Sequence, residues 1–255
     1  MALVRIRRIK ACLNGGRDRA EHPGVPVTPD ELATAAAGAV EAGAEAVHLH
    51  PRGPSGAESL AAEHVGAAVG AVRRRCVGTP VGVSTGLWIA GGDPTARLAA
   101  VRTWAGLPAT ERPQFASVNV SEPGFDQLAE SLLAAEIAVE AGVWSTADAE
   151  ALAASGFAGR CARLLVEIID APAADAPHVA AAVLGQLDAL DVPGPRLLHG
   201  EGEAAWPLVA MAGRLGLPTR AGFEDTLTDP DSRPAPDNAS LVRSALLIWQ
   251  APLRQ

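Results

Sequence analysis

The chain has 255 residues, of which 48% are hydrophobic and 20% charged, and it carries a formal net charge of −8. That is ample apolar material for a sizeable core, and the negative balance excludes a general nucleic-acid binder, which needs a basic face. No stretch reaches the about 20 apolar residues that cross a bilayer, and the opening MALVRIRRIKACLNGG lacks the apolar core of a signal peptide, so a cytoplasmic protein without a membrane partner is expected.

Taken in order, short apolar runs alternate with longer alanine-rich ones. Arg7–Gly15 reads as a strand. A helix follows from Pro29, with Thr28 as N-cap and Glu31 three residues on, and it ends near Gly43. AEAVHLHP is a strand closed by Pro51. Ala57–Cys76 reads as a helix and Pro80–Gly86 as a strand. Pro94–Trp104 is helical, and Phe115–Gly124 holds a strand. Phe125–Ala135 is helical and Ile137–Trp144 a strand. Thr146–Ser155 is helical and Arg163–Asp170 a strand. Ala173–Leu190 is helical and Arg196–Gly202 starts as a strand. Glu203–Leu217 is helical, Thr219–Asp225 is a strand, and Asn238–Gln250 is the last helix.

About eight strand–helix units predict an α/β fold, a (β/α)8 TIM barrel, as one domain over residues 1–255. NGGRDR after the first strand is not a GxGxxG fingerprint, so a dinucleotide site has little support. Cys12, Cys76 and Cys161 are dispersed, which argues against both a disulfide framework and a cysteine zinc site.

Side chains alternate along a strand, and in a barrel one parity faces the helices and the other the interior. If Val47 and Leu49 face out, His48 and His50 face in. The same rule sends Ser117 and Asn119, Glu140, and Arg220 with Glu224 inward. Glu167 shares a face with Leu165 and Ile169, so its direction stays open. Asn14, Ser84 and Asp225 join the polar set at the C-terminal mouth, where barrels of this kind keep their chemistry.

Two histidines two apart on a strand can turn their imidazoles to one cation. Glu224, inward near the end of the eighth strand, completes a His2Glu set, with zinc the default and other divalent ions compatible. His199 ends the seventh strand as a further candidate; His22, His64 and His178 read as bystanders. Lys10 is the only lysine and sits low in the first strand, which argues against a Schiff-base aldolase. Carbon–carbon chemistry would then use the metal as Lewis acid. Arg220 and Asp225 could form a base and its electrostatic partner, the guanidinium lowering the carboxylate's pKa.

The segments KACLNGGRDR…HPGVPVTPDEL, AGAEAVHLHPR, VGVSTG, ASVNVSEPGF and RAGFEDT…DNASLV, in this order, resemble the β-keto acid cleavage enzymes, which include 3-keto-5-aminohexanoate cleavage enzyme. The resemblance implies a zinc-dependent acyltransferase that condenses a β-keto acid with acetyl-CoA, giving acetoacetate and a new acyl-CoA by retro-Claisen cleavage. It implies that His48, His50 and Glu224 bind the metal and that Arg220 and Asp225 are catalytic, Asp225 as base. Ser84, Asn119, Glu140 and Asn14 are expected to bind substrate, and a homo-oligomer is implied. The chain departs from the family at Pro51 and Gly53, where members usually continue HxH with VRD, and in NVSEPG and the loop GLWIAGG. The alternatives are a zinc-dependent hydrolase or class II-type aldolase on the same barrel, and a non-catalytic ligand-binding barrel. Amidohydrolases usually add histidines on the fifth and sixth strands, and this chain has none there.

Overall fold

The computed structural model describes residues 5–251. Its strands are β1 (Ile9–Cys12), β2 (Ala46–Leu49), β3 (Val81–Ser84), β4 (Phe115–Asn119), β5 (Ala138–Val143), β6 (Arg163–Ile168), β7 (Arg196–Gly200) and β8 (Thr219–Ala221). Its helices are α1 (Pro29–Glu41), α2 (Ala62–Arg75), α3 (Pro94–Arg102), α4 (Phe125–Ala134), α5 (Thr146–Ser155), α6 (Ala176–Ala189), α7 (Ala205–Leu215) and α8 (Asn238–Gln250). The eight strands form one parallel sheet in the order β7-β6-β5-β4-β3-β2-β1-β8. Leu198 N–H donates to the Pro218 carbonyl at 3.0 Å and bridges the seam between β7 and β8. The result is the (β/α)8 barrel that the alternation predicts. No helix among the described residues is long and apolar enough to cross a membrane.

Local chemistry sets several boundaries. Thr28 and Glu31 form a reciprocal capping box at the start of α1, and Ser145 with Asp148 does the same for α5. Residues 57–61, expected as the start of α2, are instead extended. Gly53 N–H donates to Ala57 O, Ser59 N–H donates to Pro51 O, and Arg52 bridges Glu58 antiparallel. This short return brings Glu58 beside the end of β2.

Parity holds around the barrel. Val47, Leu49, Val83, Val118, Val139 and Val166 belong to the large core between strands and helices. The other parity fills the interior in layers, as barrels of this type do. Ile6, Ala46, Phe115, Ala138 and Ala162 form a separate apolar plug at its N-terminal end. Gly82 is required there, because a Cβ on it would lie 2.0 Å from the Phe115 ring. Above the plug, Glu140 takes Lys10 Nζ at 2.6 Å and Arg163 Nη1 at 2.9 Å, all buried. Since Val166 and Ile168 face the helices, Glu167 points into the barrel, which resolves its direction.

Candidate metal centre and active site

The C-terminal mouth is built by strand ends that the backbone forces together. β8 stops at Ala221, so Glu224 sits on a turn after the strand and not within it. Gly222 makes that turn possible: a Cβ there would meet the Cys12 carbonyl oxygen at 1.9 Å. The turn is tied down by Phe223 N–H donating to Asn238 Oδ1 at 2.8 Å, while Asn238 Nδ2 donates to the Leu13 carbonyl at 3.0 Å. Gly15, at φ +56°, clears the other side, since a Cβ on it would lie 2.6 Å from Glu224 Cγ. The spacing RxGxED, with an asparagine at the start of the next helix, therefore swings Glu224 over β1 toward β2.

There it meets both histidines. Glu224 Oε2 lies 3.7 Å from His48 Nε2, and Oε1 lies 3.5 Å from His50 Nε2. One ligand atom from each of the three residues falls within 4.8 Å of the other two. The separations are longer than hydrogen bonds but suit donors around one ion, since tetrahedral ligands at about 2.0–2.2 Å stand about 3.4 Å apart. Glu224 Oε2 and His50 Nε2 are buried without a hydrogen-bond partner. Buried polar atoms are almost always satisfied, so this pair fits a cation between them. Two imidazoles and one carboxylate suit a divalent ion of the zinc type.

His50 is also held from behind. Its Nδ1 lies 2.5 Å from Glu58 Oε1. Asn14, expected to contact substrate, instead clamps the backbone of His50: Nδ2 donates to its carbonyl and Oδ1 accepts its N–H, both at 2.9 Å. Burial acts to lower the His50 pKa, but Glu224 and Glu58 outweigh it and raise it to about 9. His48, buried without a carboxylate behind it, is lowered to about 3.

Arg220 sits between the carboxylates. Its Nε donates to Asp225 Oδ1 at 2.6 Å, and its Nη2 faces Glu201 at 3.0 Å, Glu224 at 3.1 Å and Glu167 at 3.5 Å. The sequence suggests that this guanidinium lowers Asp225. The opposite holds: burial, together with Glu224 and Glu167, outweighs Arg220 and raises Asp225 to about 7. Asp225 Oδ2 has no partner. Glu201 is pushed up to about 8, first by burial and then by the surrounding carboxylates against Arg220. His199, buried and lowered to about 4 by that burial, faces Glu167 at 3.5 Å and Asp225 at 3.8 Å, away from the three metal-type donors.

A cavity of about 440 Å³ opens above these groups and is lined by His50, Ser84, Asn119, Arg220 and Glu224. Glu140 does not line it; the structure commits both its carboxylate oxygens to Lys10 and Arg163 in the layer below. The cavity wall also includes Glu167, Glu201, Trp88 and Trp144. Glu167 was legible in principle: Val166 and Ile168 are its apolar neighbours on the other parity. Glu201 and Trp88 lie on loops, where no periodicity marks direction.

The chain matches the family model for beta-keto acid cleavage enzyme over residues 8–252, and it belongs to that family. No curated protein matches it in sequence. Among solved structures it is similar to apo ObcA, with a TM-score of 0.67 and 18% identity over 87% of this chain and 61% of that one. A ternary complex of ObcA with a C4-CoA adduct and oxalate gives 0.68 and 19%, covering 87% and 62%. The 3-dehydroquinate dehydratase from Geobacillus kaustophilus HTA426 gives 0.62 and 11%, covering 96% and 93%. The chain thus spans about three fifths of the length of the ObcA chains, and these likenesses show the shared fold.

Proposed function

We propose that this member of the beta-keto acid cleavage enzyme family is a metal-dependent transferase. It would convert a β-keto acid and acetyl-CoA to acetoacetate and a new acyl-CoA. The ObcA complex with a C4-CoA adduct supports a CoA thioester as co-substrate. His48, His50 and Glu224 would hold the ion, with zinc the leading choice for this donor set. When bound, the ion supplies a Lewis acid that polarises a carbonyl.

The observation that carries the reading is Asp225, whose Oδ1 is held by Arg220 while Oδ2 is buried with no hydrogen-bond partner. Oδ2 accepts the proton from the carbon between the keto and carboxylate groups. Burial raises the Asp225 carboxyl above the ordinary carboxylate range, which makes its ionised form a stronger base. The resulting carbon nucleophile forms a bond to the acetyl carbonyl carbon and expels CoA thiolate. The thiolate then attacks the original ketone, the bond between that carbonyl carbon and the former nucleophilic carbon breaks, and the proton held on Asp225 returns to that carbon, so that acetoacetate leaves and the carboxylate is regenerated. Ser84 Oγ accepts from Gly86 N–H at 3.2 Å, which leaves its hydroxyl proton to donate to substrate oxygen. Asn119 Nδ2 donates to Glu122 at 3.0 Å, which leaves its amide oxygen as the acceptor. We infer that these two residues orient the keto acid, in a homo-oligomeric, cytoplasmic enzyme.

Incubation of Asp225→Asn with a panel of β-keto acids and acetyl-CoA tests this. Acetoacetate release should fall by about 10²–10⁴, with the ion still bound at the wild-type stoichiometry. Full turnover by the variant removes Asp225 as base. Turnover of the wild type without CoA replaces the reading with a hydrolase or aldolase.

A further inference from the structure

The loop GLWIAGG after β3 and the turn SEPG after β4 are joined to the metal-type donors by one connected set of contacts. His50 Nδ1 meets Glu58 Oε1 at 2.5 Å, and the other oxygen of the same carboxylate accepts the Trp88 indole N–H at 2.9 Å. The indole also lies over the His50 ring, with centroids 6.4 Å apart and planes 24° apart. The loop bearing Trp88 is pinned in turn: Leu87 N–H donates to Glu122 Oε1 at 3.1 Å, and Glu122 Oε2 pairs with the buried Arg97. Gly86 lets the indole take this place, since a Cβ there would lie 2.3 Å from the ring.

We propose that Glu58 and Trp88 are positioning residues for His50, so that the loop after β3 sets the affinity of the metal centre. The proposal rests on the metal reading given above. An imidazole that donates one N–H to a carboxylate is fixed in ring orientation and tautomer, and its other nitrogen becomes a better ligand. His50 has this support, whereas His48 Nδ1 is buried without a partner. Glu58 reaches His50 from the short antiparallel return after β2. Trp88 holds its second oxygen, and Glu122 holds the loop that carries Trp88 through the Leu87 amide. Trp88 is half exposed, so its indole gains little from burial, and the hydrogen bond to Glu58 accounts for its place at the mouth.

The test is competition titration of Zn²⁺ against a chromophoric chelator, using apo wild type, Glu58→Gln, Trp88→Phe and Gly86→Ala. Trp88→Phe keeps an aromatic ring and loses only the N–H. Gly86→Ala leaves both polar partners intact and displaces the indole. Each variant should bind Zn²⁺ about 10–100-fold more weakly, and Trp88→Phe, which removes no charge, should leave thermal unfolding of the metal-free protein at the wild-type midpoint. In Co²⁺-loaded protein the visible absorption bands should shift in each variant, as they would if His50 changes orientation. Wild-type Zn²⁺ affinity in both Glu58→Gln and Trp88→Phe overturns the proposal. A control, His50→Ala, separates the two readings. If it binds Zn²⁺ as wild type does, or wild type binds none, the metal centre itself is wrong.

Discussion

Glu140→Gln tests whether the fifth-strand glutamate serves substrate or fold. Its carboxylate is wholly buried between Lys10 and Arg163 at 2.6 and 2.9 Å. Removing the charge leaves two buried cations sharing a neutral amide. Breaking one side of a buried ionic group costs about 3–5 kcal/mol, because the remaining charge has lost its compensation. For a chain of this size about 1 kcal/mol moves Tm by about 2–4 °C, so the midpoint should drop by about 6–20 °C. The pH dependence gives a second check. Burial alone would raise the Glu140 pKa, but Lys10 and Arg163 bring it below the ordinary carboxylate value. A carboxylate depressed on folding contributes stability that is fully present above its unfolded pKa of about 4.3 and is lost as pH falls through the folded value. The gap in Tm between wild type and Glu140→Gln should therefore be wide at pH 7 and close as pH drops below about 4. The assay is thermal unfolding by circular dichroism across that range, paired with KM for the keto acid. If Tm is unchanged at pH 7 while KM rises, Glu140 contacts substrate and the buried-cluster assignment fails.

Gly222→Ala should remove Zn²⁺ binding along with stability, because its Cβ would collide with the Cys12 carbonyl and the turn carrying Glu224 must move. An unaltered Zn²⁺ titration would show that the turn has other ways to close. Gly82→Ala forces the Phe115 ring out of the barrel plug and should cost about 1–3 kcal/mol by overpacking, read as a lower urea midpoint with activity kept at low temperature. Glu31, in the α1 capping box, is held down to about 2 mainly by the Thr28 and Val27 amides. The cap therefore acts above the unfolded carboxylate pKa of about 4.3 and is lost as pH falls toward about 2. Glu31→Gln should speed amide exchange in the first turn of α1 at pH 7. Equal exchange in variant and wild type would remove the cap from the account.

How far the sequence could carry these assignments follows from which physical signals are local. Strand parity is local and strong, so His48 could be placed inward from Val47 and Leu49 alone. The barrel followed from counting strand–helix alternations, and the cap at Thr28 followed from one residue type at one spacing. Glu224 was placed inward by the same alternation. That was sound for direction and incomplete for cause, since the residue sits on a turn that Gly222 and Asn238 impose. Parity reports which way a side chain points and not how deep it lies. Asn14 and Glu140 both face polar surroundings, yet one holds the His50 backbone and the other neutralises two buried cations. Lys10 gave the missing clue: a single lysine low in the barrel requires a buried anion, and Glu140 is the inward carboxylate on β5.

The charge on Asp225 shows the same limit in energetic form. Reading Arg220 alone predicts a lowered pKa, because a guanidinium 2.6 Å away stabilises the carboxylate. Inside the barrel that guanidinium is shared with Glu167, Glu201 and Glu224, and water is excluded. One cation divided among four carboxylates does not offset the burial of all: Asp225 rises to about 7, while Arg220 first and the two histidines next bring Glu224 well below the ordinary value. The two adjacent residues of one FED motif are thereby driven apart: one toward a proton acceptor, the other toward a permanent anion. Such separation of neighbouring carboxylates by environment is how one site holds a base and a ligand at the same pH. It depends on β6, β7 and β8 meeting at one mouth, which no local spacing encodes.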